Sequence, residues 1–231
     1  MKSGEFADAT IVFDLDGTLV DTAPDLVRAL NETLDLEGLP HPPMNAVRGM
    51  VGQGARVLIE RSAALANVSY AAERLDALTK AFIDFYRADI ARLSTPFPGA
   101  VAAMEELAAA GAKLSVCTNK RTNLSVQLLE ALGLAHRFSA IVGADAVEFR
   151  KPHPDHYRAA VERAGGVVRR SIMVGDSVAD LGAARAAAAP VVLVRFGYTE
   201  EAELERLGAD ALLSHFSDLP EACRRLLPAR A

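Results

Sequence analysis

Short apolar runs recur along the chain and end in polar or glycine-rich turns. They occupy residues 10–15, 113–117, 140–143, 171–175 and 191–195, with a weaker run at 211–213. The runs are continuous rather than alternating, as in strands covered on both faces. Between them the apolar positions take helical spacing. Val101, Met104, Leu107 and Ala108 share a face in 98–110, as do Leu124, Leu128 and Leu132 in 122–132. Gly111 and Gly133 follow as helix stops. Strands alternating with helices predict an α/β fold with a Rossmann-like parallel-sheet core and helices on both faces.

One stretch breaks this rhythm. Between the first run and Lys113 there is no comparable strand, and residues 23–36, 54–66 and 70–92 all have helical spacing. His41-Pro42-Pro43 punctuates the first gap, and Thr95-Pro96-Phe97-Pro98-Gly99 marks the return to the sheet. One crossover needs only one helix. Residues 21–93 therefore predict an inserted α-helical domain, with 1–20 and 94–231 forming the core.

Composition narrows the partners. The 231 residues can bury a sizeable core. Lys and Arg number 25 against 30 Asp and Glu, a net charge of −5. That balance gives no electrostatic footprint for nucleic acid or an anionic membrane. The longest apolar candidate for a span, 186–194, is too short and contains Pro190, and residues 1–8 lack the apolar core of a signal peptide. Cys117 and Cys223 cannot build a disulfide framework. The expectation is a cytoplasmic protein, a monomer or homodimer.

The chemistry gathers where strands end. Ile11-Val12-Phe13 runs into Asp14-Leu15-Asp16-Gly17-Thr18. Acids spaced i, i+2 in extended chain point the same way and repel, so a cation sits between them or one keeps its proton. A protonated carboxyl beside an ionised one suits nucleophilic and general-acid work together. Gly17 allows close backbone approach to an anion. Ser171-Ile172-Met173-Val174 ends in Gly175-Asp176, and Asp180 follows four residues on, in the first turn of a helix that starts near Ser177. In a parallel sheet the strand C-termini share an edge, so Asp14, Asp16 and Asp176 converge there. Three oxygen ligands suit Mg²⁺. Asp180 there is equally well explained as a helix-start acid. The Cys/His patterns of zinc sites are absent, and His153 and His156 read as structural or solvated.

Thr118 reaches the same edge ahead of a helix starting near Thr122, where a hydroxyl and free N–H groups can cradle an anion or simply cap the helix. Pro152 and Pro154 fix the path around Lys151, which can pin a nucleophilic Asp and a phosphate together or be a solvated surface lysine.

Together these segments resemble the haloacid dehalogenase superfamily of phosphohydrolases. Asp14-Leu15-Asp16-Gly17-Thr18 is similar to its first motif, Thr118 to its second, Lys151 to its third, and Gly175-Asp176 with Asp180 to its fourth. The helical insertion resembles the family's cap of the first type. Phe13 to Leu26, Val47 to Ala55, Lys151-Pro152-His153-Pro154 and Phe196-Gly197-Tyr198 are similar to the family's bacterial phosphatases of a small phosphorylated metabolite. Arg121 stands where a proline often follows Asn-Lys, and Ala188 where a glycine ends the helix after the fourth motif.

The resemblance implies Mg²⁺-dependent hydrolysis of a small phosphorylated metabolite through an aspartyl-phosphate. Asp14 is then the nucleophile, Asp16 the acid/base, and Thr118 and Lys151 hold the phosphoryl group. Asp14, the Asp16 carbonyl and Asp176 bind the metal, supported by Asp180. Gly17, Thr18, Asn119 and Lys120, with Arg48, Gly52, Gln53 and Gly54 of the cap, face the substrate. Mg²⁺ and Lys151 then reverse the sign of the local field in an acidic chain.

Rival readings are weaker. A sugar-phosphate mutase uses the same two acids and a helical cap. A dehalogenase dispenses with the Asp16-type acid, and a phosphonatase needs a cap lysine, for which Lys80 is the only candidate in 21–93. Gly52-Gln53-Gly54 is no dinucleotide loop, since Val57 holds the third glycine position and no strand precedes it. A non-catalytic phosphoacceptor of the receiver type is shorter and lacks an inserted cap.

Overall fold

A computed structural model describes residues 4–227. The chain divides into two compact units, residues 1–20 with 96–231, and Asp21–Thr95. Among the described residues the first unit holds a sheet of six parallel strands. They are β1 (Thr10–Phe13), β2 (Lys113–Cys117), β3 (Ala140–Val142), β4 (Ser171–Gly175), β5 (Val191–Val194) and β6 (Ala211–Leu213). Their order across the sheet is β3-β2-β1-β4-β5-β6. Every residue of β1, β4 and β5 is buried, whereas the edge strands β3 and β6 are only partly covered. The continuous apolar runs reflect this two-sided burial.

Register sets the functional edge. Phe13 lies opposite Val116 of β2 and Val174 of β4. The residues just past these strands, Asp14, Thr118 and Asp176, therefore leave the sheet side by side.

The second unit is helical: α1 (Ala23–Asp35), α2 (Met44–Arg48), α3 (Ala55–Leu65) and α4 (Ala72–Ala88). Leu26, Leu30 and Leu34 of α1 are buried, as are Leu75, Leu78, Phe82 and Tyr86 of α4, and the two helices pack together. The short helix α2 has no counterpart in the apolar pattern, because five residues are too few to display a period. Helix α4 stops before the expected residue 92, at an Asp89 with non-helical backbone. The unit also extends two residues beyond the expected 93. The buried Asp25 of α1 accepts the N–H groups of Leu93 and Ser94 at 2.9 and 2.8 Å and the Ser94 hydroxyl at 2.7 Å, which ties this segment to α1.

The remaining helices belong to the core unit: α5 (Ala100–Ala109), α6 (Thr122–Ala131), α7 (Pro154–Arg163), α8 (Val178–Ala186), α9 (Glu201–Leu207) and α10 (Leu219–Leu226). Ala188, after α8, takes φ 59° without being glycine. Among the described residues no helix is long and apolar enough to cross a membrane.

Candidate active site

The segment after β1 turns rather than running on extended. The Leu15 carbonyl accepts the N–H groups of Leu19 and Val20 at 3.1 and 3.0 Å. Asp14 stays anchored to the sheet, its N–H donating to the Val174 carbonyl at 2.9 Å. The turn separates the partners of the two acids. Lys151 Nζ lies 2.8 Å from Asp14 Oδ1, whereas Lys120 Nζ lies 2.8 and 3.2 Å from the two oxygens of Asp16. The cation beside Asp16 is thus a lysine 104 residues away in sequence.

Asp180 divides its oxygens between structure and site. Its Oδ2 accepts from the Ser177 hydroxyl at 2.6 Å and the Ser177 N–H at 3.1 Å, in a capping box at the start of α8. Its Oδ1 meets Lys151 Nζ at 2.6 Å. Asp176 Oδ2 accepts the Tyr198 N–H at 2.7 Å, and the Thr18 hydroxyl donates to its Oδ1 at 3.2 Å. Gly17, at φ 83°, is required here. A Cβ at that position would stand 2.6 Å from Asp176 Oδ2 and 2.7 Å from the Tyr198 ring.

Asp14, Asp176, Asp180 and Lys151 are all buried. Burial pushes the Asp14 carboxyl up; Lys151 opposes this and Asp180 adds to it, leaving it at about 7 against an ordinary 3.8. Burial, then Asp180 and Asp14, also push Asp176 up. For Lys151 burial alone would lower the pKa, but the two carboxylates outweigh it and the pKa rises. Lys151 remains an ammonium. The thiol of Cys117 is buried and pushed up, which makes it inert.

These residues fit a metal ion. Asp14, Asp176 and Asp180 each offer an oxygen, all within 4.8 Å of one another. Asp14 Oδ1 is buried beside the Lys151 ammonium at 2.8 Å, with no other donor among the described residues directed at it. With all three ionised, the carboxylates and the Lys151 ammonium carry a formal charge of −2, which suits a divalent cation with hard oxygen ligands. The Asp16 carboxylate is outside this trio.

Other expected residues fall as follows. The Thr118 hydroxyl is at the edge and accepts the Lys120 N–H at 3.1 Å. Asn119 Nδ2 donates to the Lys151 carbonyl at 3.2 Å. Arg48, Gly52, Gln53 and Gly54 belong to the helical unit. There Arg48 pairs with Asp21 at 3.1 Å, and Gly54 precedes α3. Two contributions go beyond the sequence reading. Tyr198, in a segment that resembles the family, contributes its backbone N–H, which carries no side-chain signal. His156, read as structural or solvated, is buried and structural, and reaches the Lys151 main chain.

A parallel sheet with a buried acid trio, two ammoniums and a threonine hydroxyl at one edge defines an enzyme built to handle an anionic group beside a cation. A model of the haloacid dehalogenase-like hydrolases matches residues 11–194. The chain belongs to this family. It is similar to a phosphoglycolate phosphatase of Caulobacter vibrioides, 55% identical over 95% of this chain and 92% of the relative. It is also similar to one of Agrobacterium fabrum, 46% identical over 91% and 90%. Among solved structures, a "predicted phosphoglycolate phosphatase" from Haemophilus somnus superposes with a TM-score of 0.86 at 30% identity, over 94% of this chain and 97% of that one.

Proposed function

We propose that the chain is a Mg²⁺-dependent phosphomonoesterase that converts 2-phosphoglycolate to glycolate and phosphate through an aspartyl-phosphate on Asp14. The observation that carries the chemistry is the buried trio of Asp14, Asp176 and Asp180, two of which share the Lys151 ammonium. The substrate rests on the relatives named phosphoglycolate phosphatase.

Asp14, Asp176 and Asp180, with the Asp16 carbonyl, would hold the ion. Bound there, Mg²⁺ would offset charge on the phosphoryl oxygens and so let an anionic carboxylate approach phosphorus. Asp14 attacks phosphorus. Lys151 keeps Asp14 aligned and, with the Thr118 hydroxyl, takes up charge on the phosphoryl oxygens. Asp16 gives its proton to the leaving alkoxide, then removes one from the water that cleaves the phospho-aspartate. Lys120, 2.8 Å from Asp16, is the cation that turns to the substrate's carboxylate and frees Asp16 to carry a proton. Gly17, Thr18 and Asn119 line the same edge. Arg48, Gly52, Gln53 and Gly54 select the organic part, so their variants raise KM more than they lower kcat.

The test is phosphate release from 2-phosphoglycolate, sugar phosphates and nucleotides, with Mg²⁺ and with a chelator. Release that is fastest from 2-phosphoglycolate and lost on chelation is expected. Transfer to a second sugar phosphate would favour the mutase. A stable phospho-protein without turnover would favour a phosphoacceptor.

A further inference from the structure

Lys151 follows no strand and precedes α7 by three residues, so regular secondary structure does not hold its main chain. Side chains do. Its N–H donates to His156 Nδ1 at 3.1 Å, and its carbonyl accepts from Asn119 Nδ2 at 3.2 Å. The opposite nitrogen of His156, Nε2, lies 3.1 Å from the Val142 carbonyl. That carbonyl also accepts the Thr118 N–H at 3.1 Å.

These partners fix the imidazole. Nδ1 must be bare to accept an amide proton, so the ring is neutral and its proton on Nε2 is donated to Val142. Burial, then the Lys151 cation, push the His156 pKa down to about 4, which agrees with a neutral ring. The ends of β2 and β3 and the Lys151 loop are thus closed into one circuit through Thr118, Val142, His156, Lys151 and Asn119. His156 is fully buried, where an apolar side chain would fill space without losing its hydration. Both of its nitrogens instead serve main-chain groups, one of them that of the residue whose ammonium meets Asp14.

We propose that His156 and Asn119 are positioning residues that clamp the Lys151 main chain and, through it, hold the ammonium against Asp14. This rests on the reading of Asp14 as nucleophile. A displacement of about 1 Å at a catalytic group costs about 10²-fold in rate. The clamp therefore acts on kcat, whereas a merely structural role would act on stability alone.

The test compares His156→Asn, His156→Gln and His156→Leu. Asn puts an amide oxygen near the place of Nδ1 and keeps the acceptor for Lys151. Gln puts an amide N–H near the place of Nε2 and keeps only the Val142 contact. Two readouts are taken: phosphate release from 2-phosphoglycolate with Mg²⁺, and hydrogen exchange of the Lys151 amide by NMR. H156Q and H156L are expected to lose about 10²-fold in kcat with KM within about threefold. H156N is expected to recover about tenfold of that loss and to protect the Lys151 amide better than H156Q does. Equal kcat in H156N and H156Q, or full kcat in H156L, overturns the assignment. If H156L does not fold, the contrast between Asn and Gln decides. Asn119→Ala should lower kcat at constant KM; a rise in KM alone would remove Asn119 from the clamp and put it on the substrate. If the wild-type enzyme releases no phosphate, the functional reading fails, and the order of amide protection still decides whether His156 holds Lys151.

Discussion

Two buried acids show how the helical unit and the sheet edge use the same side chain differently. Asp25 in α1 is saturated, with two N–H groups, a hydroxyl and the Arg28 guanidinium at 3.4 Å all directed at it. Asp14 at the sheet edge has one ammonium and two neighbouring carboxylates that oppose its charge. A buried acid with its donors in place fastens chain to chain. A buried acid left short of donors keeps an oxygen for a cation that arrives from outside, and holds its proton more readily until one does.

The same substitution at both positions should separate these roles. Asp14→Asn should cut phosphate release by about 10³-fold or more while the protein keeps its fold, because an amide cannot form the acyl-phosphate. Steady-state rates and circular dichroism of the variant check this.

Metal and pH sharpen the contrast. Asp14 is raised from 3.8 to about 7 in the folded, metal-free protein, and Asp176 is raised as well. Between about pH 4 and pH 7 the folded state then binds more protons than the unfolded one, so stability falls as pH rises. The slope is about 1.4 kcal/mol per pH unit for each group at most. Metal-free protein should melt at a lower temperature at pH 7.5 than at pH 5, and Mg²⁺ should raise the melting temperature more at the higher pH. A Mg²⁺ effect that is the same at both pH values contradicts the donor-deficient acid site.

Asp25→Asn should leave kcat within about twofold but lower stability by about 2 kcal/mol, since charge-assisted hydrogen bonds become neutral ones and an amide N–H group faces donors. Denaturant unfolding measures it. The smallest effect belongs to neither acid. Ala188→Gly should gain about 0.5–1 kcal/mol, because a left-handed φ costs alanine more than glycine's extra chain entropy returns.

Much of this was legible in the chain. The strands could be read because burial on both faces makes them continuously apolar, and parallel pairing then brings Asp14, Thr118 and Asp176 to one edge. Asp180 was legible in part, since its acid lies at a helix start and Ser177-Val178-Ala179-Asp180 is a capping box. Contacts that depend on where distant loops meet were not. The Lys120–Asp16 pair, the Asp25 tie to Ser94 and the reach of His156 to Lys151 follow from tertiary packing, which sequence periodicity does not encode. Tyr198 acts through its backbone, and a backbone N–H leaves no mark in sequence.

The central claim is a phosphoryl group carried on Asp14. The direct measurement is intact and peptide mass after mixing enzyme, Mg²⁺ and 2-phosphoglycolate and quenching in acid. An adduct of one phosphoryl group is expected on the peptide that contains Asp14, absent from Asp14→Asn. Rapid phosphate release by the wild-type enzyme with no such adduct, or an adduct that persists in Asp14→Asn, would contradict it.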